Sequence, residues 1–100
     1  MKQTFNTNRG IFSLDTSHYE KMSQALARGF VAQEEEISVL EKFITKDSVV
    51  ADVGANIGTF AVALSRKAKE VLAFEPVPEN VMWLKENIRA NNVQNVTVFP

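Results

Sequence analysis

The 100-residue sequence predicts an α/β fold, the first half of a doubly wound parallel sheet, and three observations lead there. Val49-Val-Ala-Asp-Val53 is an apolar run that opens into a glycine-bracketed loop, Gly54-Ala-Asn-Ile-Gly58. Val71-Leu-Ala-Phe74 is a second apolar run, ended at once by Glu75 and Pro76. Helix-spaced segments separate these runs from each other and from Val96-Thr-Val-Phe99, giving strand, helix, strand, helix, strand with short connections. Short Val-rich runs read as strands covered on both faces. Right-handed crossovers then set the strand order 3-2-1.

Residues 1–9 are polar and read as loose, and Ile11-Phe-Ser-Leu14 reads as a short strand. Asp15, Thr16 and Ser17 are cap-type residues ahead of Tyr19, Met22 and Leu26, which recur at helical spacing, and Gly29 is placed to stop that helix. A second helix begins near Gln33, with Glu34, Glu35 and Glu36 in its first turn, where acids complement the helix dipole. Its predicted buried stripe is Ile37, Leu40, Phe43 and Ile44. Thr59 to Lys67 reads as a helix lying on the sheet after the first parallel strand. Pro78 suits a first helical position, and Val77, Val81, Leu84 and Ile88 place one stripe on the sheet, with Trp83 flanking it. Asn91 or Asn92 can take the left-handed conformation that ends this helix.

Composition narrows the class. A chain of this length buries roughly two-thirds of the surface it would expose unfolded. With 45% hydrophobic and 23% charged residues it is an ordinary globular sequence. The net charge of −1 gives no global pull toward nucleic acid or an anionic membrane, so neither is predicted as a partner. No run is long enough to span a bilayer, no signal peptide opens the chain, and there is no cysteine, which fits a cytoplasmic protein. No metal site is predicted.

The predicted site is the carboxyl end of the sheet, where open parallel folds bind ligands. Gly54 and Gly58 let the backbone turn and approach a ligand closely. Glu75 has the placement of the acid about 20 residues past such a loop that takes ribose hydroxyls. The loop departs from the dinucleotide fingerprint, because Asn56 and Thr59 stand where two glycines should be. Asp52 would repel a pyrophosphate and favour a cationic ligand, so the pattern argues for S-adenosylmethionine over NAD. His18 reads as a surface residue, and Tyr19 as core.

Asp52-Val-Gly-Ala-Asn-Ile-Gly58, Phe74-Glu-Pro-Val-Pro-Glu-Asn80, the stretch from Asn87 to Asn92 and Asn95-Val-Thr-Val98 together resemble the FkbM-type family of class I S-adenosylmethionine-dependent methyltransferases. The resemblance covers residues 29–100, with a fainter echo over 10–29. It implies a Rossmann-like class I methyltransferase fold truncated after the third parallel strand. Residues 1–33 would be an N-terminal helical lead-in, and 34–100 the first half of the cofactor-binding domain. By the same resemblance Asp52, Gly54, Asn56 and Gly58 line the methionine side of the cofactor and Glu75 holds its ribose, with Ala55 and Pro76 completing the cofactor-binding set. It further implies methyl transfer to a hydroxyl oxygen, on a small-molecule or glycan acceptor. Family members continue with strands that carry the acceptor pocket, so no catalytic residue is named here. The chain is expected to be a fragment of a longer reading frame or a truncated copy, inactive alone. Two other readings stand beside this one: a nicotinamide-dependent oxidoreductase fragment, and a non-catalytic relic or interaction module.

Overall fold

A computed structural model describes residues 1–100 as five strands and four helices. Strands β1 (Lys2–Thr7) and β2 (Gly10–Asp15) form an antiparallel hairpin, followed by helices α1 (Glu20–Ala27) and α2 (Glu34–Leu40). Then come β3 (Val49–Val53), α3 (Thr59–Ser65), β4 (Glu70–Phe74), α4 (Pro78–Ala90) and β5 (Val96–Phe99). The last three strands are parallel, in the spatial order β3-β4-β5. This is the predicted class I arrangement.

Two right-handed crossovers that progress in the same direction place both helices on one face of a sheet. The residues turned toward α3 and α4 are Val50 and Asp52 on β3, Val71 and Ala73 on β4, and Val96 and Val98 on β5, with Val71 and Ala73 fully buried. The other face is open. It presents Val49, Ala51 and Val53 beside Phe74 and Phe99, and Val53 is 82% exposed. Phe74 and Phe99 stack there with ring centroids 4.8 Å apart, an arrangement that shelters part of each ring.

Residues 2–7, read from sequence as loose, form β1. Their polarity reflects exposure rather than disorder, since Phe5 alone is buried, opposite Phe12 of β2. Because β2 pairs with β1, it does not cover the outer edge of β3. The cap-type residues before α1 form a turn after β2 instead: the Ser17 amide and hydroxyl both donate to the Asp15 carboxylate, and α1 starts only at Glu20. Gly29 follows α1 at φ +88°, the left-handed stop that was predicted. Helix α2 ends at Leu40 in tight turns, with the Lys42 amide donating to Val39 and that of Phe43 to Leu40. Positions beyond it therefore leave the helical stripe. Ile37 is fully buried and Ile44 packs on the core, but Leu40 is 40% and Phe43 77% exposed.

The hairpin is held to the sheet layer by two asparagines one turn apart on α4. Asn87 is fully buried; its Oδ1 accepts from the Ser13 amide at 2.7 Å, and its Nδ2 donates to the carbonyls of Ser13 and Ile57 at 3.1 and 2.8 Å. Asn91 repeats the pattern on Ile11, at 2.8 and 2.7 Å. Each amide thus acts as a short stretch of neighbouring strand for the free edge of β2. One core then runs from Phe12 and Leu14 of the hairpin through Leu26, Ile37 and Ile57 to Leu84 of α4.

Replacing Asn87 by Ala leaves buried groups on Ser13 and Ile57 without partners, at about 1–3 kcal/mol for each group that water cannot reach. Asn87→Ala is therefore expected to lower the free energy of unfolding by about 2–4 kcal/mol, and Asn91→Ala, whose groups water can reach, by about 1 kcal/mol. Urea titration followed by circular dichroism measures both.

Candidate functional site

The site is built where β3 and β4 end. The Phe74 carbonyl accepts from the amides of both Gly54 and Ala55, at 2.8 and 3.0 Å, so the loop after β3 is fastened to the end of its neighbour. Gly54 has φ +81°, Asn56 φ +55° and Gly58 φ +102°. Asparagine is among the few residues with a side chain that enter the left-handed region at modest cost. Gly58 is the position before α3, and a Cβ there would stand 2.9 Å from Leu84 Cδ1. It is needed both for its backbone angle and for the close approach of α4.

A cavity of about 410 Å³ lies along this loop and β3, within the range of small-ligand sites. Asp52, Gly54, Ala55 and Asn56 line it, joined by Met22 of α1 and Gln33 ahead of α2. Of the other predicted site residues, Gly58 sets the turn into α3, Pro76 is exposed past the end of β4, and Glu75 lies behind the loop, 5% exposed. Thr59 and Phe60 also line the cavity and were not singled out from sequence. Met22 and Gln33 reach it only through tertiary packing, and no local pattern marks them.

The two acids face opposite situations. Glu75 Oε1 accepts from the Asn56 amide at 2.8 Å; Oε2 accepts from the Val77 amide at 3.0 Å and from Asn80 Nδ2 at 3.2 Å. Burial alone would raise the Glu75 carboxyl, but the donors on Val77, Asn56 and Asn80 outweigh it and hold it below the usual carboxylate range. Asp52 is raised, first by burial and then by the charge of Glu75. Its Oδ2 is buried with no partner, as is Oδ1 of Asn56. Two unpartnered acceptors on one cavity wall suit a ligand that brings donors and positive charge.

The TRM5/TYW2 methyltransferase domain matches residues 27–99 of this sequence. The chain belongs to that family. Among solved structures, Methanocaldococcus jannaschii TYW2 in complex with AdoMet superposes with a TM-score of 0.80 over 98% of this chain and 42% of its own, at 27% identity. The M. jannaschii tRNA m1G37 methyltransferase does so with a TM-score of 0.70 over 99% of this chain and 29% of its own; at 23% identity it shows likeness of fold. An uncharacterised protein of the same organism is 34% identical over 62 residues, covering 62% of this chain and 24% of that protein. The chain therefore spans about a quarter of the curated relative it matches.

The TYW2 structure that the chain resembles carries AdoMet, the cofactor predicted from the loop after the first parallel strand, and membership in the TRM5/TYW2 methyltransferase-domain family overturns the FkbM resemblance. Two expectations fall with it: a small-molecule or glycan hydroxyl acceptor, and the exclusion of nucleic acid, since relatives of the fold include a tRNA methyltransferase. The motifs that carried the resemblance describe the cofactor loop and the ends of β3 and β4, a geometry that class I methyltransferases share whatever they methylate. The net charge of −1 was no guide, because a sum over the surface does not reveal a local binding face. No helix is long and apolar enough to cross a membrane.

Gly58→Ala combines left-handed strain with a collision against Leu84 and is expected to cost about 2–4 kcal/mol of stability. Gly54→Ala meets nothing within 4 Å, so only strain of about 1–2 kcal/mol applies. Equilibrium unfolding of the two variants side by side checks the difference.

Proposed function

We propose that this chain is the cofactor-binding part of an S-adenosylmethionine-dependent RNA methyltransferase. The observation that carries the reading is the cavity wall with two buried, unpartnered acceptors, Asp52 Oδ2 and Asn56 Oδ1, beside an acid at the next strand end. The cofactor carries an ammonium group and a sulfonium, which answer those acceptors. Asp52, Gly54, Ala55 and Asn56 would face its methionine side; Gly58 would shape the turn, and Glu75, flanked by Pro76, would meet the ribose. A carboxylate offers about four lone-pair directions, and Glu75 already uses three of them on protein donors. One direction, on Oε1, remains for a ribose hydroxyl. When bound, S-adenosylmethionine supplies the activated methyl group. The residues of this chain supply binding, orientation and electrostatic fit.

In this reading residues 34–100 are the first half of the cofactor-binding domain and 1–33 its lead-in. RNA as the acceptor class is supported by the TRM5/TYW2 match and by the tRNA methyltransferase among its structural relatives. A cytoplasmic location belongs to the same reading.

S-adenosylhomocysteine is expected to raise the thermal midpoint of the chain, and NAD to leave it unchanged. Stabilisation by NAD alone would reject the cofactor assignment. In transfer assays with the longer protein that contains this chain, labelled methyl groups are expected in tRNA or rRNA; labelling confined to hydroxylated small molecules would reject the RNA reading.

The raised Asp52 carboxyl gives a pH test. Because folding disfavours its ionisation, the stability it contributes is fully present below its ordinary value of 3.8 and is lost as pH rises through the raised value. A cation held against the carboxylate has the opposite preference. Affinity for S-adenosylmethionine is expected to increase as pH climbs from about 4 to about 7, by roughly tenfold or more. Asp52→Asn should flatten that profile in titration calorimetry.

A further inference from the structure

Glu75 is held by a chain of contacts that begins in the N-terminal lead-in. The Tyr19 hydroxyl donates to Asn80 Oδ1 at 2.5 Å, and Asn80 Nδ2 donates to Glu75 Oε2 at 3.2 Å. Tyr19 lies at the start of α1, and its amide is tied back to the Asp15 carbonyl. Asn80 projects from the first turn of α4. Three separate parts of the chain therefore meet at one carboxylate.

The direction of each bond follows from chemistry. A neutral phenol can donate, and the Tyr19 hydroxyl is pushed up to about 12 by burial, by the charge of Glu79 and a hydrogen bond to it, and by the charges of Glu75 and Asp15. With Tyr19 donating, the Asn80 amide must turn its oxygen to the phenol and its nitrogen to Glu75. The flipped amide would set oxygen against the carboxylate, which is acceptor-only when ionised. The carboxylate thus calls for the nitrogen end of Asn80, Tyr19 holds the oxygen end in place, and Asn80 with the Val77 amide saturates Oε2. Only Oε1, which also takes the Asn56 amide of the cofactor loop, keeps a free lone pair.

We propose that Tyr19 and Asn80 are positioning residues for cofactor recognition: they lock the Glu75 carboxylate so that Oε1 alone presents to a ribose hydroxyl. This rests on the cofactor reading above and adds to it a dependence on the lead-in. Neither residue lines the cavity, nor does Glu75, which meets the cavity-lining loop at the Asn56 amide; Tyr19 and Asn80 act through that carboxylate. The relay arises where the turn before α1 meets the first turn of α4.

The test uses Tyr19→Phe, which removes one oxygen and keeps the ring, and Asn80→Ala. The first readout needs no ligand: carbon-13 NMR titration of the Glu75 carboxyl in the whole chain. The ionisable groups around it are Asp52 on β3, Tyr19 in the lead-in and Glu79 on α4. Both variants are expected to move the Glu75 titration to higher pH, Asn80→Ala further than Tyr19→Phe, because a donor to the charged form is lost or freed to turn. The second readout is binding of S-adenosylhomocysteine and of its 2′,3′-dideoxy counterpart. Both variants should weaken the first by about three- to tenfold and the second by less than about twofold, the worth of a neutral hydrogen bond read only through the diol. An unmoved Glu75 titration, or equal weakening of both ligands, overturns the relay. Wild-type chain that ignores S-adenosylhomocysteine while both variants still move the Glu75 titration overturns the cofactor reading and leaves the lock on Glu75 supported.

Discussion

A single buried amide, that of Asn87, is the joint on which the arrangement of this protein depends. It ties the edge of β2, the carbonyl of Ile57 in the loop after β3 and the body of α4 into one hydrogen-bonded unit with no access to water. In that setting a hydrogen bond is strong and an unmade one is costly. The hairpin shares no strand pairing with the sheet, so its register against it rests on contacts of this kind. Asn91 extends the same grip by one turn. The apolar contacts of Phe12, Leu14 and Leu84 supply area, and the two asparagines supply position.

The same principle, a polar group satisfied or left unsatisfied, separates the two acids at the strand ends. Glu75 and Asp52 sit on adjacent strands and lie close enough for one to raise the other. Glu75 has three protein donors and is held ionised as part of the scaffold. Asp52 has an oxygen with none, and its proton is held more tightly. Pairs of carboxyls whose surroundings drive them apart mark sites where one group builds and the other reacts or binds. Here the builder fixes the loop through Asn56, and the unsatisfied member faces the cavity.

Sequence similarity misled at the level of the acceptor and succeeded at the level of the cofactor, for one reason. Residues 49–80 encode a strand, a turn and the acid on the next strand, and that unit meets the cofactor in class I methyltransferases of many kinds. The hairpin and α1–α2 lie outside that unit, and the chain superposes with the TYW2 structure over 98% of its length, these elements included. Their sequence is polar and irregular, and the hairpin strand β1 was unreadable because alternation is weak where only Phe5 is buried. The open face of the sheet overturns the expectation that these Val-rich strands are covered on both faces, since Val49, Val53 and Phe99 are exposed on it.

The sequence by itself determined the parallel sheet, its order, the Gly54–Gly58 turn and the helix with Pro78 at its start, because each rests on local rules: strand composition, positive φ, proline geometry and helical spacing. It also determined the cofactor class, since the absence of phosphate-binding glycines and the presence of Asp52 are local facts. What only the tertiary structure decided is who meets whom. Asp15 and Ser17 could cap a helix, yet they form a turn after β2 and α1 starts only at Glu20. Phe43 had the spacing of a core residue, yet α2 stops short and leaves it in solvent. Tyr19 and Asn80, far apart in sequence, become one contact on Glu75 because the turn before α1 comes to rest at the first turn of α4. Such meetings depend on the summed free energy of a whole core, which no window of residues contains.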